Sequence, residues 1–423
     1  MILPMRQIRI RPLDPLMVRD GRPFKDSPGA RAYSMMDVVP GVIAGTVRTM
    51  LAEQAAKSSR VVDYHTFSKV PVYGPLYVWK GKPFFPLPSD IGFYEDENGA
   101  LQMNYRQPQP LVNGQGYLGI GDKGDHESLW PAKVIPQMGK VSSIVPAYLS
   151  LDWMSRWLRG DLSPKSWTSP LAEWQQLVRD NKLDSTDKDV HFLPPFALDE
   201  RDHIAVEAGT RMAKDQALFT TQSIVFPPDL DMHARVEIPQ EAAWPMQLST
   251  LHSLGGKRRL AHFSESQDDQ FWQCPEALEQ SLDESQYVRL VLATPAYFAK
   301  GWKPRWLDDE LCTNEIFAKE ISREVKLQLV WACISRWQPV SGWSYSLKQP
   351  KAVRRMVPAG SVYFFKVTEG NPRELARRGW LNTVSDANRR KGAFDKEDGF
   401  GLALWGTWRP DENDIDSEKE CEV

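Results

Sequence analysis

The sequence predicts an α+β fold of two tandem ferredoxin-like units (RRM-like, βαββαβ) with large irregular insertions, and three observations carry that expectation. The chain has 423 residues and is 42% hydrophobic, too long for one small core and suited to two lobes. Strand-like and helix-like runs follow the order strand, helix, hairpin near the start, and strand, helix, strands, helix, strand near the end. From about 105 to 200, polar Gly/Pro-rich stretches alternate with Trp-bearing helical patches such as LDWMSRWLRG, the pattern of an irregular insertion.

The elements follow in order. From Gln7 to Leu13, Ile8 and Ile10 alternate with Arg9 and Arg11, so one face of a strand is apolar. The stretch RDGRPF then turns the chain. Pro40 to Ala56 carries Ile43, Val47, Met50 and Leu51 at helical spacing, with Gly41, Gly45, Arg48 and Ala52 on another side, where small residues would let a backbone come close. VYGPLYVWKGKPFFPL and IGFYEDENGALQMNY read as hairpin material, the second turning at Glu-Asn-Gly. HIAVEAGT, ALFTTQSIVF and HARVEIP are expected strands around 203–240. A second unit opens near Tyr287 with YVRLVLATP, in which Val288, Leu290 and Leu292 alternate with Tyr287, Arg289 and Val291. Glu315 to Ile321 reads as a short helix, and KLQLVWACI and SVYFFKV as strands. In NPRELARRG, Asn371 can cap a helix, Pro372 start it, Glu374 complete a capping box and Gly379 stop it. GLALWGTW is the last strand. The expected divisions are 1–280, with the insertion, then 281–409, then a disordered acidic tail at 410–423.

Composition narrows the function classes. Cys274, Cys312, Cys333 and Cys421 lack CxxC spacing, which gives neither a disulfide framework nor a zinc knuckle, and a reducing cytoplasm fits best. MILPMRQIRI is too short for a signal peptide and no run of ~18 apolar residues occurs, so no membrane span is expected. Net charge is -3, but the distribution is uneven. Residues 1–60 hold ten Lys/Arg against five Asp/Glu, and 351–391 hold ten against three, while the tail from Pro410 has seven acids and one lysine. Such basic patches can supply phosphate contacts on a chain that is neutral on average, although solvated surface faces would look the same.

Several motifs carry little. Gly119 to Gly124 spells GxGxxG, yet no buried strand precedes it and Pro131 cuts short any helix after it. Asp122, Asp125, His126 and Glu127 share that polar loop, which is more simply solvated than metal-binding. The seven histidines form no HxH, HxxxH or HExxH, so neither a metal nor another cofactor is expected. His65 and His252 remain as acid/base groups for metal-independent RNA cleavage, without a second partner readable from sequence. Trp302, Trp306, Trp331, Trp337 and Trp343 could stack on bases, but protein interface or core is the commoner use.

LDPLMVRDGRPF, the helix PGVIAGTVRTML, then GGKRRLAHF, LATPAYFAKGW, GWSYSLKQPKAVRRMVPAGSVYFF and DGFGLALWGTW stand in this order between residues 11 and 408. Together they resemble the third-subunit family of the type III-B CRISPR effector, the Cmr complex, a branch of the RAMP superfamily. That resemblance implies two ferredoxin-like folds, a seat beside the large polymerase-like subunit and the backbone RAMP subunit, a grip on the repeat-derived 5′ handle of the crRNA, and no nuclease activity. It gives the turn after the first strand a role: Arg19 and Arg22 around Gly21 would hold phosphates, and Phe24 would stack on an unpaired base. Arg19 could instead pair with Asp20 or Asp26 and only fix the turn. NRRKGAFDKEDGFGLALWG resembles the superfamily's glycine-rich loop, with Gly399 and Gly401 beside the strand and Arg389, Arg390 and Lys391 as counter-charge; GAF at Gly392 departs from the pattern. The glycines could equally serve sheet packing. Lys257, Arg258 and Arg259, and Lys351, Arg354 and Arg355, are further candidates for RNA or for the large subunit. Arg48 could face RNA or cap a carboxylate. The rival reading is a metal-independent CRISPR endoribonuclease cutting repeat RNA, and a third is a purely structural adaptor.

Overall fold

Period-two alternation in the first strand decides where the main sheet keeps its core. In β1 (Met5–Pro12), Ile8 and Ile10 are buried in the larger core, to which the helix α1 (Pro40–Ser58) also contributes, and Arg9 and Arg11 stand on the other face. The computed structural model describes residues 5–19, 29–58, 67–110, 129–130, 132, 139–238, 248–267, 270–344, 348–386 and 398–410. It shows a mixed α+β protein with several antiparallel sheets.

After β1 come β2 (Ala30–Ala32), β3 (Val72–Trp79), β4 (Lys82–Pro86), β5 (Ile91–Glu95), β6 (Leu101–Tyr105), β7 (Lys140–Val141), β8 (Tyr148–Ser150) and β9 (Phe192–Leu193). Then follow β10 (Ala197–Val206), β11 (Ala213–Val225), β12 (Leu230–Glu237), β13 (Ser249–Ser253) and β14 (Leu260–Ser266). The last third supplies β15 (Tyr287–Leu292), β16 (Lys326–Cys333), β17 (Gln338–Val340), β18 (Trp343–Ser344), β19 (Gln349–Pro350), β20 (Arg354–Met356), β21 (Val362–Glu369) and β22 (Ala403–Thr407).

The main sheet is eight-stranded, in the order β13-β14-β1-β12-β3-β4-β8-β9, where a bare βαββαβ unit would give four strands. The extra strands come partly from the stretch read as an irregular insertion. Its described part adds β8 and β9 to the sheet edge and lays the helices Leu151–Leu158 and Pro164–Arg179 on the structure, with Trp153, Trp157, Trp167 and Trp174 all buried. Those tryptophans are core, and Ser150 accepts a hydrogen bond from the Trp153 N–H at the first helix's start. The strands β10 and β11 form a long arm joined by β2, carrying exposed Ile204, Val206 and Met212.

In the second sheet the order is β16-β21-β15-β22, all antiparallel. The alternation of β15 is used on both sides: Val288, Leu290 and Leu292 enter the smaller core, while Val291 enters the larger core shared with the main sheet. Arg289 therefore also faces the first half of the chain, where it is buried over the Trp157 ring, 3.6 Å from its centroid, and 4.0 Å from Asp90. Among the described residues neither oxygen of Asp90 has a hydrogen-bond partner, and burial pushes its carboxyl up to about 7 although Arg289 pulls the other way.

Local expectations were met unevenly. The helix Arg373–Gly379 forms, and the Asn371 side chain accepts from the Arg373 N–H. Glu374 does not close a capping box: its carboxylate pairs down the helix with Arg377 and Arg378, which offer full charges instead of one amide. On α1, among the described residues, no backbone comes close at the small residues: a Cβ on Gly41 would make only ordinary contact with the Asp398 and Phe400 side chains, Gly45 opens onto empty space and Ala52 is core. The Trp cluster is divided. Trp306 is buried against Phe317 and Phe365, whereas Trp302, Trp337 and Trp343 are exposed. The hairpin β13–β14 and the extension β17–β20 had not been expected as strands; β17–β20 are two or three residues each and β13 is polar and exposed, too little for a run of alternation, while β14 does bury Ala261 and Phe263 alternately.

Candidate nucleic-acid interface

The first basic corner forms where the C-terminal DGFG meets α1. Pro40 opens α1 without losing a needed N–H, and Gly41 lies beside the Asp398 carboxylate and the Phe400 ring, where a Cβ would make ordinary contact at 3.5 Å. Gly399, at φ +85°, packs so closely that a Cβ would lie 2.6 Å from the Val72 carbonyl oxygen. Gly401, at φ +75°, would meet the Ser385 side chain at 2.7 Å. Both glycines thus serve close packing of the chain on itself, and any contact with a ligand falls to the side chains around them.

Those side chains are cationic. Arg48 donates to the Val70 carbonyl from Nε (3.0 Å) and a terminal nitrogen (2.8 Å), and its other terminal nitrogen reaches Asp398 Oδ1 at 2.5 Å. Arg354 lies 5.8 Å over the Phe400 ring. Burial depresses the Lys351 ammonium, with Asp398 opposing and Arg354 and Arg48 reinforcing, and burial likewise depresses Arg354. One carboxylate is therefore surrounded by three cations, a local excess of positive charge held partly out of water.

The second corner forms where GGKRR sits on the end of LDPLMVR. The Gly256 N–H donates to the Met17 carbonyl at 2.7 Å, and a Cβ on Gly255, at φ +73°, would strike that same oxygen at 2.7 Å. Lys257 and Arg258 follow at positive φ, 56° and 53°, which throws their side chains outward. Lys257 Nζ reaches His203 Nε2 (3.2 Å) and lies 5.2 Å over the Phe219 ring, which His203 also stacks on. Burial, Lys257 and neighbouring arginines hold His203 below its ordinary value, so the neutral ring can accept from the ammonium. Arg258 is exposed and Arg259 half-buried. Arg19, exposed, bridges Ser34 in a short ladder, and Ser34 Oγ accepts from the Val18 N–H at 3.0 Å.

The segment from Ser34 to Gly41 ties the corners together. It pairs with Val18 and Arg19 at one end and packs on Asp398 and Phe400 at the other, a span of at most ~25 Å of chain. Midway, the Val38 N–H donates to Tyr77 Oη at 2.9 Å and Tyr148 donates to Asp37.

The sequence-predicted residues are thus distributed. Arg48 and Arg354, with Lys351, meet at DGFG; Lys257, Arg258 and Arg259 stand together at GGKRR, with Arg19 two residues along the chain from the Met17 carbonyl that Gly256 binds; Arg355 lies apart, its guanidinium 4.8 Å over the exposed Trp337 ring. Gly21, Arg22, Phe24, Arg389, Arg390 and Lys391 lie outside the described residues, as do His65 and the GxGxxG loop. His252 is held by its own strand and α1: Nδ1 is 3.0 Å from the Ser253 carbonyl oxygen and Nε2 3.5 Å from Glu53. Among the described residues no group of His, Cys, Asp or Glu could hold a metal, and no helix is long and apolar enough to cross a membrane. Sequence reasoning missed Asp398, His203 and Phe219. The first was legible only as the acid directly before Gly399, in a run that also holds Asp395 and Glu397; the other two become neighbours of Lys257 only through the β10–β11 arm.

No curated protein matches the chain significantly. Among solved structures it is similar to a chain of the cryo-EM structure of the Type III-B Cmr-beta bound to cognate target RNA and AMPPnP, state 1, at 16% identity and TM-score 0.44, covering 85% of this chain and 86% of that one. The same complex bound to cognate target RNA gives 15% identity and TM-score 0.44 over the same shares. A chain of the Csm3-Csm4 subcomplex of the type III-A CRISPR-Cas interference complex gives 9% identity and TM-score 0.39, covering 96% and 100%. Residues 8–408, nearly the whole chain, match the family described as CRISPR-associated protein (Cas_Cmr3), and the chain belongs to that family.

Proposed function

We propose that the chain is a non-catalytic, RNA-binding subunit of a type III-B CRISPR ribonucleoprotein effector. In this reading it grips the repeat-derived 5′ handle of the crRNA and docks the large polymerase-like subunit and the backbone RAMP subunit, in the cytoplasm. One observation carries it beyond family membership: two glycine corners, ringed by Arg48, Lys351 and Arg354 and by Arg19, Lys257, Arg258 and Arg259, flank a single segment from Ser34 to Gly41. Cations at corners where backbone is tightly turned suit a kinked single strand, whose phosphates are close together and whose bases point apart. The order of the second sheet, β16-β21-β15-β22, supports a ferredoxin-like unit at 281–409, and the first unit would be its elaborated partner in tandem. The mechanism is positional: fixing the end of the guide sets the register of the subunits stacked after it.

The test is titration of labelled handle RNA at several salt concentrations. Arg19→Ala with Arg22→Ala is expected to weaken binding roughly tenfold or more and to make the salt dependence shallower. Unchanged affinity and unchanged slope would remove the turn from the site.

A further inference from the structure

The basic surface does not end at DGFG. From Val325 to Thr368 the chain has no Asp or Glu, yet it has seven Lys/Arg: Lys326, Arg336, Lys348, Lys351, Arg354, Arg355 and Lys366. The middle of this stretch is a double-stranded extension, β17 paired with β20 and β18 with β19. Its root is fixed, because Val340 and Met356 are buried in the larger core. Alternation along β20 divides the two arginines: Arg354 turns toward Phe400 and the DGFG corner, and Arg355 toward Trp337. Trp337 is 44% exposed although two guanidinium groups lie near its ring, Arg355 at 4.8 Å and Arg336 at 6.0 Å from the centroid. Farther out, Trp343 is 52% exposed, opposite Pro350.

We propose that this extension is a track for an unpaired nucleic-acid strand continuing past the DGFG corner, with Trp337, held by Arg355, as its first stacking platform and Trp343 as a second. The inference rests on the RNA-binding reading and adds to it a second segment of strand. Flat rings set among arginines with no carboxylate in the same stretch are what base stacking and phosphate neutralisation together require. A protein partner would find the same charge and the same Trp–Arg pairs; what favours a nucleic-acid strand is the acid-free run from Val325 to Thr368 and its continuity, through Arg354, with the DGFG corner.

The experiment uses the full-length chain and two single-stranded oligonucleotides, one of roughly 6 nucleotides and one of roughly 14, the range over which single-strand sites extend. Trp337→Ala is expected to weaken the longer one by roughly 5- to 100-fold, leave the shorter one unchanged, and leave the salt slope unchanged, since a neutral ring is lost. Trp337→Phe restores most of the affinity. Arg355→Ala weakens the longer one and lowers its salt slope by about 0.7. Loss in either an RNA or a DNA version of the longer oligonucleotide supports the track. If wild type binds both lengths alike and Trp337→Ala changes neither, the track is wrong while the corner reading stands. If wild type binds neither, both fall. If Trp337→Ala spares oligonucleotide affinity but abolishes co-purification of a partner subunit, the surface is a protein dock and the track is overturned.

Discussion

Arg48 and Asp398 are 350 residues apart in the chain and joined by an ion pair, the arginine 12% exposed and the aspartate 4%. That pairing fastens the last turn before the final strand to the first helix. Arg48→Ala should lower unfolding stability by about 3 kcal/mol, the scale for breaking a buried pair, softened because Lys351 and Arg354 still face the carboxylate. Denaturant titration checks it. Arg48→Lys should recover only part of the loss, because one ammonium cannot also span the Val70 carbonyl as the guanidinium does.

Gly399→Ala should be damaging irrespective of RNA. The residue sits at φ +85° and its new Cβ would be 2.6 Å from the Val72 oxygen, so strain and clash add to at least about 2 kcal/mol. A lowered melting temperature together with unchanged RNA affinity at low temperature would identify the glycine as a packing requirement.

Replacing Lys257, Arg258 and Arg259 together by Ala should reduce the slope of log K against log salt for single-stranded RNA by up to about 2, at ~0.7 for each phosphate no longer neutralised. Lys257 Nζ is 3.2 Å from His203 Nε2, so Lys257→Ala alone should also let the His203 pKa rise, visible by NMR titration.

Asp90 predicts a pH dependence of stability. Its folded-state pKa, about 7, lies above the ordinary carboxylate value, so the folded chain holds a proton that the unfolded chain releases. Stability from this group is full at acid pH and is lost as pH climbs through about 7. Asp90→Asn should therefore flatten the stability profile between about pH 4 and pH 8 and gain on wild type at the alkaline end, by up to about 4 kcal/mol if the whole shift is realised. A profile that stays steep in the variant would assign the dependence to another group.

His252 points Nδ1 at the Ser253 carbonyl oxygen and Nε2 at the Glu53 carboxylate, so both ring nitrogens face groups of the chain itself. Incubation with labelled repeat RNA should give no discrete product, and His252→Ala should leave RNA affinity unchanged. A clean cut lost in that variant would revive the endoribonuclease.

Period-two alternation was enough to find β1 and β15, and aromatic and β-branched content to find β16 and β21, although β15 and the start of β21 turn out to be buried on both faces. It was blind to β13 and β17–β20, whose pairing is set by turns and by a neighbouring strand instead of by their own pattern. The site shows the same split. Basic runs next to glycines were readable as clusters, but not their assembly: Arg48, Lys351 and Asp398 are distant in sequence, and only the return of β22 alongside β15 brings them to one place. The tryptophans between 302 and 343 look alike in sequence, and only burial separates Trp306 from Trp337.

Strand β15 puts Val288, Leu290 and Leu292 into one interior and Arg289 and Val291 into another. It behaves as a party wall between two houses, and a party wall cannot be assigned to either. A gene cut just upstream of Tyr287 would leave Trp157 unroofed in one product and Phe364 and Trp408 bare in the other, so each half made by itself should precipitate, and only their joint synthesis should return a soluble particle.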